Sequence, residues 1–273
     1  MKTLEQAYQE FNFDQFLAEQ LVGTPQAINA YVECCERHLG SNKIALIWEG
    51  KNGESVEWTF EQLADASGKL AHYFTSLGLK AGDCIAGLLP RTPELLITIL
   101  ATWRMGAIYQ PLFTAFESKA IEHRINTAKT RLIVTNEEQR PKLNSVDVPH
   151  ILTVYQPNTL SQQDDDFWTE LIKQSSVFEP VMQTFKDDFL MMFTSGTTGL
   201  AKSVPVPLKA VLAFKGYMTY AVDLRAEDSF WNLADPGWAY GLYYGITGPL
   251  SLGHSIIMDE RAFSVDHAVQ IIK

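Results

Sequence analysis

The run Thr194–Lys202, TSGTTGLAK, constrains this chain more than any other stretch. It follows the apolar segment 189–193 (FLMMF), whose length and composition predict a buried strand, and it precedes Ser203-Val204-Pro205-Val206-Pro207. Loops at the ends of buried strands are where α/β folds place ligands. Glycines at 196 and 199 let backbone N–H groups approach a ligand, and the hydroxyls of Thr194, Ser195, Thr197 and Thr198 add further donors. Lys202 adds a positive charge on a flexible stem. A polyphosphate is the ligand that suits such a loop.

Two kinds of nucleotide loop compete for it. Gly196 to Ser203 fits the Walker pattern G-x-x-x-x-G-K-[ST] except at Ala201, which stands where the second glycine belongs. A Walker loop, however, runs directly into a helix whose N-terminus receives the phosphates. Pro205 and Pro207 push the residues before them toward β or polyproline conformation, so the segment after the lysine is expected to be extended. Strand, loop and second extended segment then make a hairpin whose tip folds over a triphosphate. A helix beginning at Lys202 would restore the Walker reading.

The run resembles the phosphate-loop signature of the adenylate-forming (AMP-binding) superfamily of acyl-CoA synthetases, luciferases and peptide-synthetase adenylation domains. It departs from that signature in Ala201, where proline is usual, and Ser203, where glycine is usual. Three more segments resemble family motifs and occur in the family's order: Trp58–Leu63 (WTFEQL), Ala101–Phe116 (ATWRMGAIYQPLFTAF) and Ala234–Gly248 (ADPGWAYGLYYGITG). The likeness extends from about Trp48 to the C-terminus.

The resemblance implies an α/β fold of layered, largely parallel sheets flanked by helices, an incomplete N-terminal domain of the adenylate-forming fold. Residues 1–165 and 166–273 are expected to be two α/β subdomains, the second carrying the phosphate loop. The implied activity is that of an acid–thiol ligase, an AMP-forming acyl-CoA synthetase of the acetate–CoA ligase type acting in fatty acid metabolism, with ATP, Mg²⁺ and coenzyme A. Lys202 would act on the β- and γ-phosphates, and Thr194, Ser195, Gly196, Thr197, Thr198 and Gly199 would hold phosphate oxygens. Trp238, Tyr240 and Gly241 would line the acyl side, with Trp238 limiting chain length, so a short- or medium-chain carboxylate is the expected substrate. Arg140 and Lys142 follow a strand and loop where some acyl-CoA synthetases hold coenzyme A phosphates. The family's adenine and ribose motifs and its C-terminal catalytic lysine would fall beyond Lys273, so these residues alone are expected to have little ligase activity. The alternatives are a P-loop NTPase and a non-catalytic interaction module that keeps the fold.

Local signals support alternation of strands and helices. Thr24-Pro25 predicts the start of a helix that ends before Gly40. Segments 44–48 and 56–58 flank a turn containing Asn52-Gly53, which predicts a hairpin. Thr59 with Gln62 forms a capping-box pattern for the next helix, and Gly78 lies just past its end. Strands are expected at 84–89, 108–112, 132–135, 230–233 and 255–258. Helices are expected from Thr92-Pro93 to Gly106, near 118–127, near 208–220 and from Val265. The polar stretch 156–166 (QPNTLSQQDDD) reads as a boundary or surface loop whose acids start a helix rather than bind metal. Asp259-Glu260 reads the same way, as a strand end meeting solvent. Tyr240, Tyr243 and Tyr244 share one helical face and serve equally well as core or as pocket lining.

Composition excludes more than it selects. With 273 residues, 46% of them hydrophobic, the chain can bury a sizeable core, and its net charge of −10 argues against nucleic acid or an anionic membrane as partner. The first residues lack the apolar centre of a signal peptide, and no segment is long and apolar enough to span a bilayer, so a cytoplasmic location is expected. Cys34, Cys35 and Cys84 read as buried small hydrophobes, and the histidine spacing suggests no zinc site. The expected partner is a small-molecule carboxylate, and a homodimer is allowed.

Overall fold

The computed structural model describes residues 3–157, 159, 163–194 and 199–272. In chain order its strands are β1 Ile44–Glu49, β2 Ser55–Thr59, β3 Cys84–Leu88, β4 Ile108–Pro111, β5 Leu132–Asn136 and β6 His150–Val154. They continue with β7 Asp165–Asp166, β8 Asp188–Thr194, β9 Lys202–Pro207, β10 Phe230–Trp231 and β11 Ile256–Asp259. A seven-stranded sheet has the order β7-β6-β5-β3-β4-β8-β9, and a four-stranded sheet the order β10-β11-β1-β2. Both are parallel except for the β8–β9 and β1–β2 pairs. The expected layered, largely parallel α/β architecture is present. Both sheets take strands from either side of residues 165/166, and β7 straddles that point.

Alternation along the central strands explains why both faces of the larger sheet are covered. Ile85 and Val134 enter the main core, whereas Ala86, Leu88 and Ile133 enter a second cluster beneath the helix Ser118–Ala128, with Ile121 and Ile125. Strands buried on both faces read as continuous apolar runs. On the main-core side pack the helices Phe60–Ser76 and Pro93–Arg104, the latter with Trp103 fully buried and its indole N–H donated to Phe189 O at 3.2 Å.

Most local signals hold. Thr59 and Gln62 form a reciprocal capping box, and Gly78 follows the same helix with φ of +80°, a conformation that favours glycine. Pro205 and Pro207 lie in β9, an edge strand, where the missing N–H groups break no second ladder.

One helix start needs correction, and one strand went unread. No helix starts at Thr24-Pro25: Thr24 and Ala27 close a tight turn on each other, and Ile28 exchanges backbone hydrogen bonds with Gln183. The helix begins at Ala30, where Asn29 Oδ1 accepts the Tyr31 N–H at 2.8 Å, and ends at Cys34. A tertiary partner for the 24–28 backbone outcompetes the local cap. The strand β6 was unannounced in the sequence because its five residues have no flanking signal beyond Pro149.

The acids of the polar stretch separate. Asp166 caps the helix Phe167–Ile172, Asp165 accepts the Tyr73 hydroxyl at 2.7 Å, and Asp164 binds Arg140. Asp259 is buried rather than solvated, paired with Arg261 at 2.7 Å, and Glu260 pairs with Lys51 at 3.3 Å.

Candidate functional site

β8 and β9 form the hairpin that the prolines predict. Thr194 and Lys202 face each other at its loop end, both exposed. The register continues through Phe193 with Ser203 and Met191 with Pro205, so no helix begins at Lys202 and the Walker geometry is absent. Ser195, Gly196, Thr197 and Thr198 lie outside the described residues. A Cβ on Gly199 would meet nothing within 4 Å. Among the described residues Lys202 has no ion pair, which leaves its charge free for a ligand.

Parallel pairing decides what stands beside the hairpin. β4 runs parallel to β8, with Tyr109 opposite Leu190, so the loop after β4 emerges at the same sheet edge as Thr194. That is the carboxyl edge, where open α/β sheets bind ligands. Phe113 and Phe116 of this loop form a triangle with Trp238, with ring centroids 5.6–5.8 Å apart. Contact this close requires glycine at 237, where a Cβ would lie 2.6 Å from Phe113 Cα. The turn is fixed by Asp235, whose Oδ1 accepts the Gly237 N–H at 2.7 Å. Burial holds the Asp235 carboxyl above its usual range, against the Gly237 N–H and the nearby Arg91. Arg91 in turn donates to Leu233 O at 2.8 Å and Asp259 O at 3.2 Å.

Three of the motifs therefore converge: the loop after β4, the β8–β9 hairpin and the segment around Trp238. The Trp58–Leu63 motif does not join them; it caps a helix, and Trp58 stacks on Trp168. Trp238 is 40% exposed and Tyr240 52% exposed, whereas Gly241 is buried. A Cβ at Gly241 would lie 2.2 Å from Asp235 O, so this glycine is needed for close backbone packing. Tyr240 rests on Tyr244, which rests on Tyr217, and Tyr243 stacks on Phe214 at 4.5 Å. The tyrosines thus divide, with Tyr243 packed into the core side and Tyr240 presented outward. They lie on a helix whose stretch Tyr243–Thr247 is wound as a π-helix, a form frequent at functional sites.

Arg140 is engaged elsewhere, held by Asp164 through Nε at 2.5 Å and Nη2 at 3.0 Å, and Lys142 donates to Thr114 O. A separate crevice of about 640 Å³ lies near the ends of β1, β3 and β5. Its Lys51 is bound to Glu138 and Glu260, and its Glu94 accepts the Trp168 indole N–H. It contains none of the predicted site residues. The sequence alone did not single out Asp235 or Arg91, which fix the turn at Gly237 and the strand ends beside it.

Comparison with known proteins agrees with this geometry. Residues 34–273 match the family described as AMP-binding enzyme. Over 271 residues the chain is 28% identical to acetyl-coenzyme A synthetase of Bacillus subtilis (strain 168), a match covering 97% of this chain and 47% of that enzyme. It is 31% identical to acetyl-coenzyme A synthetase of Deinococcus radiodurans, covering 90% of this chain and 41% of that enzyme. A crystal structure of Brucella canis acyl-CoA synthetase superimposes with a TM-score of 0.95 at 47% identity, covering all of this chain and 50% of that one. The chain thus spans about half the length of the proteins it matches. With the family matched over most of its residues and the fold shared throughout, the chain belongs to the AMP-binding enzyme family.

Proposed function

We propose that this chain is the N-terminal portion of an ATP-dependent, AMP-forming acyl-CoA synthetase that activates a short- or medium-chain carboxylate. The observation that carries this reading is the placement of the β8–β9 hairpin, with Lys202 in no ion pair among the described residues, at the same sheet edge as the Phe113–Phe116–Trp238 triangle. One side offers a cation and loop donors to a triphosphate, and the other offers aromatic walls to an acyl chain.

In the reaction, a carboxylate oxygen attacks the α-phosphorus of ATP. The bond from that phosphorus to the bridging oxygen breaks, and pyrophosphate leaves. The thiol of coenzyme A then attacks the acyl carbon and displaces AMP. Carboxylate and triphosphate repel each other, so the protein's task is to place them and to neutralise charge that builds up on the leaving group. Lys202 would carry that role on the β- and γ-phosphates, with Thr194, Ser195, Gly196, Thr197, Thr198 and Gly199 supplying hydrogen bonds to oxygens. Among the described residues no group of three His, Cys, Asp or Glu side chains could cage a metal, so Mg²⁺ would arrive with the nucleotide phosphates, as that ion commonly does. Trp238 and Tyr240, both partly exposed, would bound the acyl side, and Gly241 would act by letting their backbone turn. With Arg140 committed to Asp164, coenzyme A phosphates would need other partners or a rearrangement of that pair.

Calorimetry with MgATP on this chain and on Lys202→Ala tests the reading. Loss of a charge-assisted hydrogen bond is expected to weaken binding at least tenfold, as roughly 1.5–3 kcal/mol implies. Equal affinity in both proteins would remove Lys202 from the site.

A further inference from the structure

We propose that His123 and Arg124, adjacent on the helix Ser118–Ala128, are positioning residues that grip both arms of the β8–β9 hairpin and so set where Lys202 stands relative to the aromatic triangle. The inference deepens the nucleotide reading of that hairpin and rests on it.

The two contacts fall on opposite arms at the same level. His123 Nε2 lies 2.8 Å from Ala201 O, the residue just before Lys202. A carbonyl oxygen only accepts, so Nε2 carries the proton and donates. The Arg124 guanidinium carbon lies 4.1 Å from the Phe116 ring centroid and 5.6 Å from that of Phe193, on the other arm. Phe193 pairs with Ser203 and Thr194 with Lys202, so both grips act at the last rungs before the loop.

The hairpin needs such a grip. β9 is an edge strand, its residues 202–205 are exposed, and two of its positions are prolines without an N–H. β9 is bonded on one side only, by β8, so Lys202 depends on that ladder and on what grips it from outside. The helix, by contrast, is a fixed post: Ile121 and Ile125 are buried under the sheet, and Gln110 of β4 donates to Arg124 O at 3.2 Å. Arg124 is 9% exposed and, among the described residues, has no carboxylate partner. Its charge is held by ring stacking and by Ala120 O at 2.9 Å. A guanidinium without a carboxylate partner among the described residues, beside the last rungs of the hairpin, adds its field to that of Lys202. Because Phe116 also contacts Trp238 at 5.6 Å, the same side chain ties the phosphate arm to the acyl wall.

The test compares amide hydrogen exchange and MgATP calorimetry in the wild-type chain, His123→Ala, His123→Gln, Arg124→Lys and Lys202→Ala. His123→Ala should speed exchange at Lys202, Val204 and Val206 about fivefold and weaken MgATP by a similar factor, the amount expected from one lost hydrogen bond. Exchange in β3 and β5 should not change. His123→Gln, whose amide N–H can reach the same carbonyl, should restore both values. Arg124→Lys keeps the charge but loses the planar stack, and should speed exchange at Phe193 about threefold. Unchanged β9 exchange in His123→Ala overturns the proposal, as does a uniform loss of protection across the sheet or failure of His123→Gln to rescue. If Lys202→Ala binds MgATP normally, the nucleotide reading fails while the exchange data still decide the anchoring.

Discussion

Lys215 and Glu33 are 182 residues apart in the chain, yet Lys215 Nζ donates to Glu33 Oε2 at 2.9 Å with both side chains fully buried. Glu33 Oε1 accepts the N–H groups of Val22 and Gly23, each at 2.9 Å, and Arg37 adds a second cation at 2.7 Å. Lys215 also donates to Gln20 O at 2.5 Å. This network fastens the N-terminal segment to the helix Ala210–Tyr220. Removing Glu33 leaves Lys215 a buried charge without a carboxylate, so Glu33→Leu should lower stability by about 3–5 kcal/mol; Lys215→Met should cost less, because Arg37 and two backbone N–H groups still serve Glu33. The double substitution should lose clearly less than the sum. Denaturant titration of the three variants checks this, and additive losses would show the pair to be uncoupled.

Acid should destabilise the protein in two steps. Burial pushes the His38 imidazole down to about 4, aided by the positive charges of Arg37, Lys215 and Lys43. A folded pKa below the unfolded value of about 6.5 means that the unfolded chain takes up the proton first. The contribution is therefore complete above about pH 6.5 and is lost as pH falls toward 4, on the order of 1–2 kcal/mol after allowance for solvent screening. Burial would raise the Glu33 carboxyl, but Lys215, the Gly23 N–H and Arg37 outweigh it and hold it below its usual range. Its share is present above the ordinary carboxylate value and disappears only at lower pH. Stability measured by denaturant from pH 7 down to about pH 3 should fall in two stages, and His38→Gln should flatten the upper one.

Two glycines in helices should respond in opposite directions to alanine. A Cβ at Gly68 would lie 2.0 Å from Ser176 O, a backbone atom that cannot swing away, so Gly68→Ala should cost about 1–3 kcal/mol. At Gly216 the nearest atom is Phe16 Cζ at 3.6 Å, ordinary van der Waals contact. Gly216→Ala should raise stability by up to about 1 kcal/mol, because alanine is the better helix former. Thermal melts of both variants decide the signs.

Removing the Thr59 cap should be felt although the residue is not in the core. Its hydroxyl accepts the Gln62 N–H at 3.2 Å while Gln62 Oε1 accepts the Thr59 N–H at 2.8 Å. Thr59→Ala is expected to lose about 1 kcal/mol, and Thr59→Ser to lose little. Equal melting temperatures for Thr59→Ala and wild type would show the box to be redundant.

The features legible in the residue order are local. A capping box, a glycine after a helix and a proline-marked extended segment each depend on a few neighbouring residues, and each has one low-energy backbone solution. That is why the hairpin from Asp188 to Pro207 was legible, and why the helix starting at Lys202 could be set aside before any fold was known. Family motifs extended this reach by locating Trp238 and the Phe113–Phe116 loop. Which pieces meet depends on the folded whole. Thr24 carries a good helix cap, but the backbone of 24–28 finds its partner in Gln183, which lies more than half the chain away. Parallel pairing of β4 with β8 put Phe116 beside the hairpin, and the long-range approach of residue 33 to residue 215 created a buried ion pair from two residues that read alone as surface charges. His123 and Arg124 are likewise unremarkable on their helix. Hydrogen-bond and charge partners far along the chain become neighbours only when the whole core closes, because no local preference encodes contacts whose energy appears on burial.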